Sequence, residues 1–172
     1  FPLYYIEGLH GAFRVQYTSK LQTKSQERSK IMRVLMTGGG TGGHVNPALA
    51  IAAVIKNNDP TSEIAFVGTP KGIENKLVGA AGYKMYHVEV KGFRRKLSAE
   101  NLRAVGLALT SPIKARHIIK DFKPDIVIGT GGYVSWPILE AAAEMHIPSA
   151  VHESNAVPGM TVRQLARRVD RV

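Results

Sequence analysis

The feature that most constrains this chain is a loop of five glycines and one threonine, residues 38–43, that follows a short apolar segment. The apolar segment, residues 33–37, predicts a buried strand. Pro47 predicts the first turn of a helix, because its missing N–H would be unpaired there anyway. Glycine lets the backbone approach a ligand closely, and the unpaired N–H groups at a helix N-terminus attract negative charge. A tight turn alone needs fewer glycines, so we predict a site for a diphosphate or another anion.

The alternation of short apolar segments and longer helical segments continues along the chain. We predict strands at residues 33–37, 64–67, 85–90, 125–129 and 150–152, and helices at residues 47–57, 72–81, 99–110, 112–122, 137–146 and 161–169. Pro112 separates the third helix from the fourth. Strands that alternate with helices are typical of a parallel sheet covered on both faces, so the predicted fold class is α/β.

The first 31 residues differ from the rest of the chain. They lack sustained periodicity, their second half is polar, and Met32 directly precedes the first predicted strand. We therefore predict that residues 1–31 are an extension outside the native domain, which is better supported than a functional basic arm because the charges are scattered. Residues 32–172 are predicted to form one domain with a single core.

Cysteine usage and hydropathy exclude several classes of protein. The 172 residues include no cysteine, which excludes a disulfide scaffold, a zinc–thiolate site and a cysteine nucleophile. No apolar run approaches the roughly 18 residues that span a bilayer. The formal net charge of +10 instead indicates a polyanionic partner, such as nucleic acid, anionic lipid or phosphate.

Two common nucleotide motifs fit the glycine loop incompletely. Gly38, Gly40 and Gly43 satisfy G-x-G-x-x-G, but a dinucleotide site also needs an acidic residue near the end of the second strand. That strand ends in Val67-Gly68-Thr69. A P-loop needs Lys and then Ser or Thr after the last glycine, and His44-Val45 stands there instead. Neither a dehydrogenase nor a P-loop triphosphatase is therefore predicted.

His44 lies directly after the glycine loop, where a side chain faces the cleft outside the carboxyl ends of the strands. The positive end of the helix dipole favours a neutral imidazole, which can accept a proton. By position alone, a general base and a structural helix cap are equally good interpretations.

A second glycine loop repeats the strand–glycine–helix pattern at residues 129–137. It is predicted to open onto the same cleft, where Tyr133, Ser135 and Trp136 can line the wall. For Trp136, packing against a helix is the more common alternative.

A third strand end carries the sequence His-Glu-Ser-Asn at residues 152–155. Ala156 stands where the zinc-binding motif H-E-x-x-H needs its second histidine, so no metal site is predicted. Glu153 and Asn155 are better suited to hydrogen bonds with a sugar or a ribose.

Taken together, these motifs resemble the N-terminal half of the MurG family, the membrane-associated N-acetylglucosaminyltransferases of peptidoglycan synthesis. The resemblance covers residues 32–172 and rests on GGGTGGH, GTGGYVSWP and HESNAVPG in that order, with KGFRRKL at residues 91–97 as a further match. It implies a GT-B fold, in which two Rossmann-like halves face a cleft, with this chain as the acceptor-binding half and the C-terminal donor half absent. The implied reaction transfers N-acetylglucosamine from UDP-GlcNAc to the muramoyl 4-hydroxyl of lipid I. It gives lipid II with inversion and uses no cofactor.

The resemblance also implies roles for individual residues. His44 is similar to the family's proposed general base. Thr41, Gly42 and Gly43 match residues that contact the donor sugar nucleotide or the acceptor diphosphate. Asn155 matches a residue that contacts the donor. The residues implied for the acceptor cleft are Tyr133, Glu153 and the neighbouring Gly131 and Gly132. Most uridine contacts belong to the other half, so this chain alone is predicted to be inactive.

A basic segment, residues 91–123, carries a net charge of +7. Apolar residues at helical spacing within it are flanked by Lys and Arg, a pattern that favours an anionic membrane surface. The predicted contact residues are Arg94, Arg95, Lys96, Leu102, Val105 and Leu109. The alternative is an ordinary solvated rim around a buried face. With the implied substrate, the pattern predicts a peripheral position on the cytoplasmic face of the bacterial cell membrane.

The rival function is a basic module that binds nucleotides or nucleic acid without transferase activity. Such a module needs aromatic residues among its basic ones, and residues 91–123 contain only Phe93 and Phe122. We therefore expect no nucleic-acid partner.

Overall fold

Five parallel strands form the sheet in the part of the chain that the structure describes. The computed structural model describes residues 31–90 and 99–172, with residues 99–110 described through their backbone only. The strands are β1 (Arg33–Thr37), β2 (Glu63–Gly68), β3 (Lys84–His87), β4 (Ile126–Gly129) and β5 (Ser149–Val151). Every neighbouring pair is parallel, in the order β3-β2-β1-β4-β5. The predicted α/β parallel sheet is confirmed.

The strand order places a crevice at one edge of the sheet. From β1 the chain adds β2 and β3 on one side, and then returns to add β4 and β5 on the other. Val34 of β1 is paired with Ile64 of β2 on one side and with Ile126 of β4 on the other. In open parallel sheets, ligands bind outside the carboxyl ends of the two strands where this reversal occurs. Here those strands are β1 and β4.

Five helices are described: α1 (Gly42–Asn58), α2 (Glu74–Ala80), α3 (Ala99–Phe122), α4 (Ser135–Glu144) and α5 (Met160–Leu165). They cover both faces of the sheet, because successive residues of each strand point to opposite sides. Val34 and Met36 pack with residues of α1 and α2 in one apolar cluster. Leu35 packs on the opposite face with residues of α3, α4 and α5.

The helix α1 begins at Gly42, five residues before the predicted start at Pro47. Thr41 is its N-cap, with an extended backbone. Pro47 thus lies inside the helix, where its missing N–H leaves the carbonyl of Gly43 without its usual partner. The prediction was wrong because glycine is a weak helix former. The structure nevertheless places both glycines in the first turn, where the N–H groups of His44 and Val45 donate to the carbonyl of Thr41 at 3.1 and 3.2 Å.

The predicted break at Pro112 was also wrong, since α3 runs without interruption from Ala99 to Phe122. A proline inside a helix removes one hydrogen bond and bends the axis, but it does not have to end the helix. Ala115, Ile119 and Phe122, which follow the proline, are buried in the core. Their burial favours a continuous helix over a break.

The third strand is shorter than predicted and ends at His87 instead of Val90. Its partner β2 ends at Gly68, which is paired with His87. After that point the N–H of Val88 still donates to the carbonyl of Gly68, at 2.9 Å. The length of β3 is therefore set by its neighbour and not by its own alternating pattern.

Candidate active site

Two glycine-containing loops meet at the carboxyl ends of β1 and β4. The N–H of Thr130, just after β4, donates to the carbonyl of Thr37 at the end of β1, at 2.9 Å. Gly132 approaches the other loop so closely that a Cβ there would lie 2.2 Å from the carbonyl oxygen of Gly39. The predicted proximity of the two loops follows from the strand order, which makes β1 and β4 neighbours.

His44 lies in the first turn of α1 and faces the second loop. Its Nδ1 atom is 3.1 Å from the carbonyl oxygen of Thr130. A carbonyl oxygen can only accept, so this contact assigns the proton to Nδ1 and leaves the lone pair of a neutral ring on Nε2. The hydroxyl of Thr130 also donates to the carbonyl oxygen of His44, at 2.6 Å. Thr130 therefore fixes both the backbone and the ring of His44.

The glycines of the first loop serve different purposes. A Cβ at Gly38 would lie 2.1 Å from a threonine hydroxyl of the second loop, and one at Gly39 would lie 2.8 Å from a buried carboxyl group. Gly40 has a φ of +86° and lies under an aromatic ring. At Gly42 and Gly43, by contrast, the nearest atoms to an added Cβ are 3.9 and 3.7 Å away. Both distances are ordinary van der Waals contacts with neighbouring side chains, so these two glycines are not required by a close approach of another loop.

Thr41, Gly42 and Gly43 present polar groups at the same place. Gly42 and Gly43 are the first two residues of α1, where helix geometry leaves N–H groups without an intrahelical partner. Thr41 is exposed, and its side chain makes no capping hydrogen bond to the helix. These three residues, which we call the cradle, lie at the positive end of the helix dipole, a position that favours an anion.

Gly131 and Gly132, in the second glycine loop, lie against the ring of His44. A Cβ at Gly131 would lie 2.8 Å from Nδ1 of His44, and one at Gly132 would lie 3.2 Å from its Cδ2. Both have positive φ, at +97° and +79°. The absence of side chains at these positions lets the second loop approach the imidazole.

The aromatic and hydroxyl residues of the second loop have separate places. Tyr133 is 37% exposed, and its ring lies 3.0 Å from where a Cβ on Gly40 would be. Trp136 packs against the apolar core, as its alternative interpretation predicted. Ser135 is fully buried, and its hydroxyl is bonded to the carbonyls of Thr37 and Gly131 at 3.1 and 2.7 Å. The prediction that Ser135 lines the cleft was therefore wrong, because its hydroxyl is buried against these two backbone carbonyls.

Glu153 organises the loop that follows β5. Its Oε1 accepts from the N–H and the side-chain amide of Asn155, at 2.9 and 2.7 Å, and its Oε2 accepts from the N–H of Gly159 at 3.0 Å. These bonds, that of Gly159 first, hold the pKa of Glu153 below its ordinary value. The side chain of Asn155 is thereby oriented, and its residue is exposed at the same edge of the sheet.

Glu74, the first residue of α2, is a site residue that the sequence analysis missed. It is fully buried, and it accepts hydrogen bonds from Thr69 after β2 and from Gly40 in the first glycine loop. Burial opposes ionisation of this carboxyl group, but those hydrogen bonds outweigh it and hold the pKa of Glu74 below the ordinary value. In sequence, Glu74 looks like an ordinary acidic residue of a first helical turn.

The side chains of the predicted membrane-contact residues are not among those that the structure describes. Arg94, Arg95 and Lys96 fall in residues 91–98, and Leu102, Val105 and Leu109 are described through their backbone alone, within α3. In the residues that are described, no helix has the length and hydropathy to cross a membrane. The same residues contain no group of three or more His, Cys, Asp or Glu placed to hold a metal ion.

Comparison with known proteins gives a consistent family. Residues 34–172 match the model of the glycosyltransferase family 28 N-terminal domain. A relative from Lactococcus lactis subsp. cremoris is 48% identical over 141 residues, which are 82% of this chain and 40% of the relative. A relative from Acetivibrio thermocellus is 51% identical over the same length, 38% of that protein. Both are named UDP-N-acetylglucosamine–N-acetylmuramyl-(pentapeptide) pyrophosphoryl-undecaprenol N-acetylglucosamine transferase.

Solved structures agree with this family. The crystal structure of Acinetobacter baumannii MurG matches with a TM-score of 0.70 and 36% identity, over 81% of this chain and 40% of that one. A UDP-GlcNAc 2-epimerase from Neisseria meningitidis, at 20% identity and a TM-score of 0.51, shares the fold over 80% of this chain and 37% of its own. The resemblance to MurG is confirmed, as is the fold of the N-terminal half of a GT-B glycosyltransferase.

Proposed function

This chain belongs to the glycosyltransferase family 28 N-terminal domain family, and from that premise we propose that it supplies the acceptor half of an inverting N-acetylglucosaminyltransferase. The proposed reaction transfers N-acetylglucosamine from UDP-GlcNAc to the muramoyl 4-hydroxyl of lipid I and gives lipid II. The chain spans 40% of the length of the Lactococcus relative that carries this name. The activity is therefore proposed for the complete enzyme.

The observation that carries this proposal is the placement of His44. Its Nδ1 is tied to the carbonyl of Thr130, which leaves Nε2 to accept a proton. In the proposed step, Nε2 takes the proton of the 4-hydroxyl while that oxygen bonds to the anomeric carbon of the donor. The bond from that carbon to the diphosphate breaks, and UDP leaves with the electron pair. Attack from the face opposite UDP accounts for inversion.

The acceptor diphosphate is assigned to the cradle of Thr41, Gly42 and Gly43. Support comes from the exposure of Thr41 and Gly43 and from their place at the start of α1, where helix geometry leaves N–H groups without an intrahelical partner. A diphosphate held there lies next to His44, so the attached muramoyl sugar is brought to the base.

The remaining site residues are assigned to the wall of the cleft. Tyr133 offers an exposed ring and hydroxyl to the acceptor sugar. Asn155, oriented by Glu153, is assigned to the donor. Gly131 and Gly132 are assigned to the acceptor side, where they bring the second loop against the imidazole.

The domain organisation is proposed as follows. Residues 32–172 form the acceptor-binding domain, and residues 1–31 are an extension that takes no part in it. This chain covers 40% of the Lactococcus relative, and we assign most uridine contacts to the part of the complete enzyme that it does not cover. Binding of UDP-GlcNAc by this chain alone is accordingly weak.

We also propose that the domain docks on anionic lipid at the cytoplasmic face of the membrane through residues 91–123. The segment's net charge of +7 supports this, since each Lys or Arg near an anionic surface contributes about 1 kcal/mol. The apolar residues Leu102, Val105 and Leu109 lie on one face of a helix by their spacing and can insert beside the charges. Docking there would bring the cleft close to a lipid-linked acceptor.

Changing Arg94, Arg95 and Lys96 together to Glu is expected to lower binding to anionic vesicles by roughly 100-fold, because three favourable contacts are replaced by repulsion. Co-sedimentation with vesicles of phosphatidylcholine alone or with phosphatidylglycerol measures this. Binding should also fall as salt rises.

The matched control changes Arg163, Arg167 and Arg171 to Glu, which alters the net charge equally but lies outside residues 91–123. It is expected to weaken binding much less. Equal loss in both triple variants, or binding that ignores lipid charge and salt, would contradict a docking site in residues 91–123.

The activity itself is tested with the complete enzyme, radiolabelled UDP-GlcNAc and a short-chain lipid I analogue. We expect a disaccharide product with a β-linkage at the muramoyl 4-hydroxyl. A product with retained configuration, or transfer only to an acceptor that lacks a diphosphate, would overturn the proposed function.

A further inference from the structure

We propose that Glu74 is a positioning residue that aims the first glycine loop at the diphosphate; this rests on the proposed function of that loop. Glu74 is 0% exposed, and its hydrogen bond to the first glycine loop comes from Gly40, outside the cradle. Its effect on a ligand is therefore exerted through the backbone that it holds.

The carboxylate of Glu74 joins two loops at the carboxyl edge of the sheet. Its Oε1 accepts from the N–H and the hydroxyl of Thr69, both at 2.8 Å, on the loop after β2. Its Oε2 accepts from the N–H of Gly40 at 3.2 Å, on the loop after β1. One buried charge thus connects the glycine loop to a neighbouring strand end.

Three glycines make room for this carboxylate. A Cβ would lie 2.8 Å from its Cδ at Gly39, 2.4 Å from its Cγ at Gly68, and 2.1 Å from its Oε1 at Gly72. Separations below 3 Å are far inside van der Waals contact, so any side chain at these positions displaces Glu74. Gly39 therefore serves the carboxylate and not the ligand, although it lies in the middle of the glycine run.

This contact determines which donors the loop offers to an anion. The N–H of Gly40 points inward to Glu74 and is not available to a diphosphate. The N–H groups of Gly42 and Gly43 follow within three residues, and their direction depends on where Gly40 is held. His44 is held separately, by Thr130 of the second loop. Loss of Glu74 should therefore affect diphosphate binding more than proton transfer.

The test replaces Glu74 with Gln, which keeps the shape but places an amide donor against the N–H of Gly40 or of Thr69. In this chain labelled with isotopic glycine, the amide signals of Gly42 and Gly43 report titration with inorganic pyrophosphate. We expect at least tenfold weaker binding in Glu74→Gln. A purely electrostatic role predicts the opposite sign, because removal of a nearby negative charge strengthens anion binding. Unchanged or tighter binding would overturn the proposal.

Two further variants separate positioning from general destabilisation. Thr69→Val removes one hydrogen bond from the same carboxylate and leaves the Gly40 bond in place, so pyrophosphate affinity is expected to stay within twofold of wild type. Gly39→Ala keeps the charge of Glu74 but displaces its carboxylate, so it should weaken pyrophosphate binding as Glu74→Gln does. It therefore tests the proposal independently if Glu74→Gln fails to fold. Equal weakening in Thr69→Val, or none in Gly39→Ala, would contradict the assignment.

In the complete enzyme, Glu74→Gln is expected to raise KM for the lipid-linked acceptor about tenfold while kcat changes less than threefold. A loss confined to kcat would overturn the proposal. The pyrophosphate titration needs no transferase activity, so it distinguishes failure of this inference from failure of the proposed function.

Discussion

Replacing His44 with Ala is expected to lower turnover of the complete enzyme by roughly 100- to 10,000-fold, the usual range for loss of a general base. The structure supports this because Thr130 holds the ring with Nε2 free to accept a proton. The fold should be preserved, since His44 is only partly buried and lies outside both apolar clusters. Initial rates at saturating donor and acceptor measure turnover, and thermal unfolding measures stability.

His87 supplies a matched control for this substitution. It is an exposed histidine at the carboxyl end of β3, and its Nε2 is 2.6 Å from the side-chain oxygen of Asn75. We expect His87→Ala to change turnover less than threefold. Near-normal turnover of His44→Ala, or an equal loss in both variants, would reject the assignment of His44 as the base.

Replacing Gly132 with Ala is expected to lower the free energy of unfolding by about 2–5 kcal/mol and turnover by about 100-fold. The φ of Gly132 is +79°, which an L residue adopts with strain. Its new Cβ would also lie 2.2 Å from the carbonyl oxygen of Gly39. That oxygen is backbone, so the two loops must separate and the contact around His44 is lost. Urea unfolding and initial rates measure the two effects.

A substitution at Gly82 separates the two causes of the expected loss, which are backbone strain and the close contact between the loops. Its φ is +77°, close to that of Gly132, but an added Cβ meets no atom within 4 Å. Gly82→Ala should therefore show the backbone strain alone, about 1–2 kcal/mol, with turnover unchanged. Should the two variants lose equal stability and keep equal turnover, the close approach of the two loops would have no part in the site.

Much of the fold could be predicted because its signals are local. The mostly apolar segment Arg33–Thr37 predicted a buried strand by its own composition, and its place before a glycine loop indicated a parallel α/β unit. The position of His44 after that loop was likewise sufficient to identify it as a candidate base. Helix bounds were less predictable, since Gly42 and Gly43 have low helix propensity and yet are the first two residues of α1.

The sequence by itself determined the strand–glycine–helix units, the family and the residues of the candidate base and cradle, because each depends on neighbouring residues in the chain. Only the tertiary structure decided how those residues are held. Glu74, 34 residues from Gly40, orients the first loop, and Thr130, 86 residues from His44, selects the proton position on its ring. The tertiary structure also directs the hydroxyl of Ser135 inward, away from the cleft. Such contacts join distant segments through the strand order, and no local pattern of residues encodes them.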